Sequence, residues 1–159
     1  MRTANTVLMR GELDHIVDLA VATERWPEIL PHYRWVTVLE GDGDHKAVEM
    51  AARRGRFPVK WRARQDVDRD GPTPIIRFVH IGGVTKGMDV AWTFAPAPEG
   101  VHVTIDHDFA PPWPIVGGLV ADRIIGPHFV EAIAGRTLST IKGIVENRDQ
   151  RFQPNGTPR

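Results

Sequence analysis

The stretch Lys46–Asp68, KAVEMAARRGRFPVKWRARQDVD, contains two β-strand patterns joined by a glycine and decides the fold. Apolar and polar residues alternate along most of it, and Gly55 interrupts the alternation. Successive side chains of a strand point to opposite faces, so each strand is predicted to bury one face. We expect an antiparallel hairpin with strands at about residues 46–54 and 57–68.

The same kind of pattern continues on both sides of this hairpin. Clusters of glycine, proline and aspartate separate four more β-compatible runs, at about residues 35–40, 74–81, 85–94 and 101–109. Six successive strands with short links are typical of an antiparallel meander. A seventh run, residues 4–10, precedes them and is expected to pair beside the last strand.

Helical patterns flank the strands at both ends of the chain. Apolar residues recur at helical spacing between Leu13 and Ala20, and Thr23 can cap a second short helix that Pro31 ends. A long helix is expected to about residue 146. Its apolar stripe consists of Val130, Ala134, Thr137, Leu138, Ile141 and Val145.

This order of elements predicts an α+β helix-grip architecture. A curved, seven-stranded antiparallel sheet would wrap around the long C-terminal helix, with two short helices after strand one. The concave face of such a sheet is too wide for one helix to fill, so an internal cavity is expected. Residues 1–146 are predicted to form one ligand-binding domain, and residues 147–159 a polar, disordered tail.

Composition excludes several classes of function. Twenty Lys and Arg residues balance twenty Asp and Glu residues, which argues against binding of nucleic acid or of an anionic membrane through overall charge, so any partner must be recognised locally. The absence of cysteine excludes thiolate metal sites, and no paired metal-ligand spacing occurs, so neither a metal nor a cofactor is expected. No stretch has the features of a membrane span or secretion signal, which predicts a cytoplasmic protein.

Three motifs make the chain similar to a known family. They are RWPEILPHY at Arg25–Tyr33, MDVAWTF at Met88–Phe94 and DFAPP at Asp108–Pro112, accompanied by Trp61 in the fourth strand. Together with the order of elements, they resemble the START-like helix-grip superfamily. Within it, the polyketide cyclase/dehydrase branch is most similar, including the aromatase/cyclases and the coenzyme-Q-binding proteins. The resemblance covers about residues 3–146.

The resemblance implies positions for several ligand-contacting side chains. In the aromatase/cyclases, the residues that match Trp26, Tyr33 and Trp92 help to line the cavity, and Tyr33 would donate its hydroxyl to a bound carbonyl. The full set of expected ligand-binding residues is Trp26, Leu30, Trp61, Gln65, Phe78, His80, Met88 and Trp92. Plain core packing is the equally weighted alternative for Trp26, Trp61, Met88 and Trp92.

One family feature has two possible positions in this chain. The aromatase/cyclases resemble one another in an inward arginine on the fourth strand. Alignment from Gly55 places it at Arg64, whereas alignment on Trp61 places Gln65 there. Strand alternation favours Gln65 as the inward residue unless a bulge intervenes. A glutamine cannot offset enolate charge as a guanidinium does, which weakens the cyclase hypothesis.

Two histidines are candidates for chemistry. His107 is the polar member of an otherwise apolar face of the last strand. His80 shares a face with Phe78, although the opposite face of that strand is also apolar, so its direction is open. We expect His107 to act as a base and Tyr33 as a donor to the developing oxyanion in an aldol-type cyclisation. A hydrogen-bonded core histidine is the competing interpretation of His107.

Two functions follow from these features. The first is cyclisation or dehydration of a polyketide-like substrate held in the cavity, and the second is non-catalytic binding of a lipid or quinone. A cavity smaller than roughly 300 Å³ would argue against both. The apolar segment 109–118 is interpreted as a buried loop packed under the long helix, or as a segment that gates the cavity or touches a membrane transiently through Trp113. The cationic run from Arg53 to Arg64 is interpreted as a solvated outer face, with a phosphate or RNA patch as the alternative. The oligomeric state is left open.

Overall fold

The computed structural model describes residues 2–109 and 127–152. Their order confirms the prediction of one strand, short helices, six strands and a long helix. The strands are β1 (Arg2–Met9), β2 (Tyr33–Asp42), β3 (His45–Arg54), β4 (Phe57–Asp68), β5 (Ile75–Gly83), β6 (Asp89–Ala97) and β7 (Gly100–Asp108). The helices are α1 (Leu13–Val21), a 3₁₀ turn (Thr23–Arg25), α2 (Trp26–Ile29) and α3 (Pro127–Phe152).

The seven strands form one antiparallel sheet in the order β1-β7-β6-β5-β4-β3-β2. β1 pairs with β7, as predicted, so that Thr3 lies opposite His107, and β6 places Val90 on the other side of His107. α3 contacts mainly β1, with smaller contacts to β3, β7 and α1. The apolar core therefore lies between the inward face of the sheet and this helix.

The alternation of buried and exposed side chains along β4 shows which residue of the pair Arg64 and Gln65 points inward. Burial alternates from Pro58 to Asp68, so Arg64 is exposed and Gln65 is fully buried. The register shift beside Arg62 is accommodated on β5, because Gly82 lies opposite Arg62 while His80 lies opposite the next residue of β4. Since the extra residue, Ile81, belongs to β5, the phase of β4 is preserved.

The structure corrects two predicted boundaries. The sixth strand begins at Asp89 rather than at about residue 85, because the preceding residues form a turn that Gly83 and Gly87 allow with positive φ angles of 85° and 94°. The helix α3 continues to Phe152, beyond the predicted end at about residue 146. The rest of the predicted tail, the segment 110–118 and Trp113 lie outside the described residues.

Within the described ranges, none of the helices combines the length and the apolar character that a bilayer crossing requires.

Candidate functional site

A hollow lies between the concave face of the sheet and α3. Trp26 lines it from α2 and Tyr33 from the start of β2. Trp61 and Phe78 line it from the middle of the sheet, and Ala134 lines it from α3. Most of its lining is apolar. The polar side chains that line it are Tyr33, His80, Thr85, His107 and Thr137.

The hollow is smaller than the sequence led us to expect. Its volume is about 80 Å³, and about 630 Å³ when the open solvent at its mouth is included. Aromatic rings occupy the missing space, since the Trp26 ring centroid lies 5.0 Å from that of Tyr33 and 5.6 Å from that of Trp92. The volume of about 80 Å³ is below the limit of roughly 300 Å³, so the hollow as it stands argues against both predicted functions, and a guest larger than one small ring requires these side chains to move.

Most of the predicted site residues converge on this hollow. The structure brings together Tyr33, His107, Trp26, Trp61, Phe78, His80, Met88 and Trp92. On β5, whose two faces are both apolar in the sequence, Phe78 and His80 point inward. Val79 and Ile81 on the other face remain 40% and 39% exposed. Leu30 and Gln65 lie outside the lining. Leu30 is instead a fully buried core residue that follows α2 and donates its backbone N–H to Trp26.

Gln65 points inward, but its amide is engaged elsewhere. Its Nε2 donates to the Val21 carbonyl oxygen at 3.0 Å, and its Oε1 accepts from Thr23 Oγ1 at 3.1 Å. Lys46, on the inward face of β3, donates to the same carbonyl at 2.9 Å and forms an ion pair with Glu24. These contacts hold the end of α1 against the sheet, and they engage both polar atoms of the Gln65 amide.

Tyr33 belongs to a hydrogen-bonded group centred on Thr137. The Thr137 hydroxyl donates to the Ile133 carbonyl at 2.8 Å, so it can only accept from His32 Nε2, which is 2.8 Å away. His32 Nδ1 therefore lacks a proton, and it is buried without a hydrogen-bond partner in the described part of the chain. Burial raises the pKa of Tyr33, and the neighbouring Thr137 hydroxyl partly opposes this. Tyr33 therefore stays protonated at neutral pH, and since the Thr137 hydroxyl hydrogen goes to Ile133, the Tyr33 hydroxyl donates to Thr137 until a ligand oxygen replaces that acceptor.

The two inward histidines are both neutral near pH 7. Burial lowers the pKa of His107 to about 4. Burial, with a smaller contribution from the charge on His107, lowers the pKa of His80 to about 3. His80 Nδ1 lies 2.6 Å from Thr85 Oγ1, and its ring stacks on Trp61 at 5.8 Å. His107 Nδ1 is buried and has no hydrogen-bond partner among the described residues. A neutral imidazole has a lone pair that can accept a proton, although the lowered pKa makes His107 a weaker base than a free imidazole.

Sequence reasoning missed three polar residues around this hollow. Thr137 interrupts the apolar stripe of α3, and His32 precedes Tyr33 in the first family motif, so both had a signal. Thr85 had none, because its position depends on where the turn between β5 and β6 begins. Across the described residues, no group of three or more His, Asp or Glu side chains could hold a metal ion.

The sequence of this chain is similar to a family model and to two Streptomyces proteins. Residues 19–124 match the family model described as polyketide cyclase/dehydrase and lipid transport. A putative polyketide cyclase of Streptomyces halstedii is 28% identical over 102 residues, which cover 62% of this chain and 92% of that protein. The actinorhodin polyketide synthase bifunctional cyclase/dehydratase of Streptomyces coelicolor is 23% identical over 150 residues. The match covers 92% of this chain but only 45% of that longer protein.

Solved structures show the same fold at low sequence identity. The Zhui aromatase/cyclase of Streptomyces sp. R1128 is similar with a TM-score of 0.78 and 17% identity, over 93% of this chain and 94% of that one. A STAR-related lipid transfer protein of Xanthomonas axonopodis is similar with a TM-score of 0.68 and 15% identity, over 91% of this chain and 85% of that one. These likenesses establish the helix-grip fold.

Proposed function

The chain belongs to the polyketide cyclase/dehydrase and lipid transport family, and from this premise we propose that it binds an apolar, ring-forming small molecule and promotes its cyclisation or dehydration. One observation carries the proposal. A neutral histidine with an unpartnered ring nitrogen, His107, and a protonated phenol, Tyr33, line the same aromatic hollow. These are a base and a hydrogen-bond donor, the two groups that an aldol-type ring closure requires.

The proposed reaction begins at a carbon atom between two carbonyl groups. His107 removes a proton from this carbon, and the resulting enolate carbon attacks a second carbonyl carbon of the same chain. Tyr33 donates a hydrogen bond to the oxygen on which charge develops, and the protonated imidazole returns its proton to that oxygen. For the loss of water, the imidazole, now neutral again, removes the second proton from the same carbon and delivers it to the departing hydroxyl group, so that a carbon–carbon double bond forms as water leaves. The aromatic walls hold the chain folded and exclude water.

The electrostatics of the hollow limit which substrates suit it. None of the described residues that line it carries a cationic side chain. Gln65, one of the two positions proposed to match the inward arginine of the aromatase/cyclases, is already hydrogen-bonded to Val21 and Thr23. Developing negative charge is therefore stabilised by neutral donors alone, which favours substrates whose enolate charge is spread over a β-dicarbonyl unit.

A second function, non-catalytic carriage of a lipid or quinone, is supported by the lipid-transport part of the family description and by the almost wholly apolar lining. In this case His107 and Tyr33 would only orient the ligand through hydrogen bonds. Membrane contact through Trp113 stays a prediction of this alternative.

Replacing His107 by alanine tests the two functions against each other. We expect the rate of ring closure of a linear poly-β-keto thioester, followed by the absorbance of its aromatic product, to fall about 100-fold. Binding of the thioester, followed by tryptophan fluorescence, should change by less than about threefold, because the aromatic walls remain. His102→Ala is the matched control, since His102 lies exposed on the opposite face of the same strand.

The outcomes separate the proposals clearly. Unchanged turnover in His107→Ala would remove His107 from the mechanism. Absence of turnover in the wild-type protein, together with a co-purifying lipid or quinone, would establish the carrier in place of the enzyme.

A further inference from the structure

Two hairpin tips at the cavity end of the sheet expose apolar side chains. Phe57, at the start of β4, is 64% exposed, and Val84, in the turn after β5, is 41% exposed. Phe57 lies on the same strand face as Val59 and Trp61, which line the hollow. A continuous apolar row therefore runs along β4 from the hollow to the solvent.

The two tips lie next to each other. β4 and β5 are paired from Trp61 and Gly83 onward, and the tips are the chain segments that extend beyond this pair. A side-chain carbon at Gly83 would come within 2.5 Å of the Lys60 carbonyl oxygen, which shows how closely the turn after β5 approaches β4. Thr85, in the same turn, lines the hollow. Val84 is consequently the direct chain neighbour of a residue that lines the hollow.

Four cationic side chains belong to the same two hairpins as Phe57 and Val84. Arg53, Arg56, Lys60 and Lys86 are all exposed, and none of them forms an ion pair among the described residues. Arg62, further along the same strand, is different because it is bridged to Glu49 at 2.7 Å.

Acidic residues are missing from the same region of the sequence. Residues 53–64 and 80–88 contain no Asp or Glu. The acids that come next at this end of the sheet are Asp89, on β6, and Asp108, which pairs with Arg2. Both acids lie on the outward face of the sheet, away from the side that carries Phe57. Glu49, on β3, partly offsets the charge of Lys60, whereas Arg53, Arg56 and Lys86 form no ion pair among the described residues.

From this arrangement we infer that the tip surface, formed by Phe57, Val84, Arg53, Arg56, Lys60 and Lys86, docks on an anionic lipid bilayer. Phe57 and Val84 enter the acyl boundary, and the four cations lie at the level of the headgroups. A protruding apolar tip with a cationic rim suits a deformable, anionic layer better than a groove-shaped protein partner. Docking places the apolar row along β4 between the bilayer and the hollow, so an apolar ligand can pass without crossing water.

Vesicle flotation tests this inference without any knowledge of the ligand, so its result is separate from that of the proposed function. Full-length protein is mixed at low salt with phosphatidylcholine vesicles that contain or lack 30% phosphatidylglycerol. We expect binding to the anionic vesicles only, and its loss at high salt, because each Lys or Arg near such a surface contributes roughly fivefold in affinity.

Two double variants should weaken this binding. Arg56→Glu with Lys86→Glu should lower vesicle affinity more than tenfold, and Phe57→Ser with Val84→Ser about tenfold. Their substituted side chains are exposed, so the fold should be retained, as circular dichroism can verify.

Matched controls lie elsewhere on the sheet. Arg64→Glu with Arg77→Glu makes the same charge change on the outward face, and Leu39→Ser removes an apolar side chain that is 49% exposed near the far end of β2. Neither control should change vesicle binding by more than about twofold. Equal loss in the controls, or absence of binding to anionic vesicles at low salt, would overturn the inference. Capture of the protein by polyglutamate but not by vesicles would also overturn it, in favour of an acidic protein partner.

Discussion

Acidification from pH 7.5 to pH 4.5 is expected to lower the free energy of unfolding by about 7.5 kcal/mol, roughly 2.5 kcal/mol for each of three histidines, of which His32 and His80 are buried and His107 is half-buried. Burial lowers the pKa of His32 and His107 to about 4 and that of His80 to about 3. In the unfolded chain these groups titrate near 6.5. Below that pH the unfolded state binds more protons than the folded state, so stability falls with pH and levels off only below about pH 3 to 4.

Urea denaturation at a series of pH values measures this effect. The variant His107→Asn should lose about one third of the pH dependence, because one of the three titrating groups is gone. His102→Asn should retain all of it, since this histidine is exposed. A free energy of unfolding that stays constant between pH 7.5 and pH 4.5 would contradict the buried, neutral state of these histidines.

Truncation of the central tryptophan is the second large expected effect. Trp26→Ala should lower the free energy of unfolding by about 3–5 kcal/mol, as is usual for loss of a buried aromatic side chain. Trp26 is 2% exposed, packs against Tyr33, Phe78 and Trp92, and donates its indole N–H to the Leu19 carbonyl at 3.2 Å. These contacts join the short helices to the sheet, so their loss should destabilise the packing of the helices on the sheet.

Chemical denaturation of two further variants separates packing from the hydrogen bond. Trp26→Phe should cost only about 1–2 kcal/mol, because it keeps most of the buried ring and loses the indole donor. Trp35→Ala, at a tryptophan that is 37% exposed on β2, should cost less than about 1 kcal/mol. A Trp26→Ala protein as stable as the wild type would show that the aromatic cluster does not hold the domain together.

The sheet was predictable because its strands show their buried face in the sequence. Alternation along β4 correctly placed Gln65 inward and Arg64 outward, and the position of β1 beside β7 followed from the order of the elements. The role of Gln65 was not predictable. Its partner Thr23 lies 42 residues away, and only the folded chain brings the two together.

The size and polarity of the hollow could not be predicted from the sequence either. A residue pattern shows which side chains face inward, but the free volume depends on how the rings of Trp26, Tyr33 and Trp92 lean on one another. The His32–Thr137 hydrogen bond joins residues 105 positions apart, and it requires the register of α3 on the sheet. The catalytic roles of His107 and Tyr33 and the cytoplasmic location stay predictions.

Native mass spectrometry of the freshly purified protein tests most directly whether the hollow holds a small molecule. Three proteins are compared: the wild type, Ala134→Leu, which fills the hollow from α3, and Ala91→Leu, the same change on the outward face of β6. We predict that the wild type and Ala91→Leu carry the same apolar molecule, whereas Ala134→Leu carries none. A wild-type protein without any bound molecule, or equal occupancy in Ala134→Leu, would contradict the account.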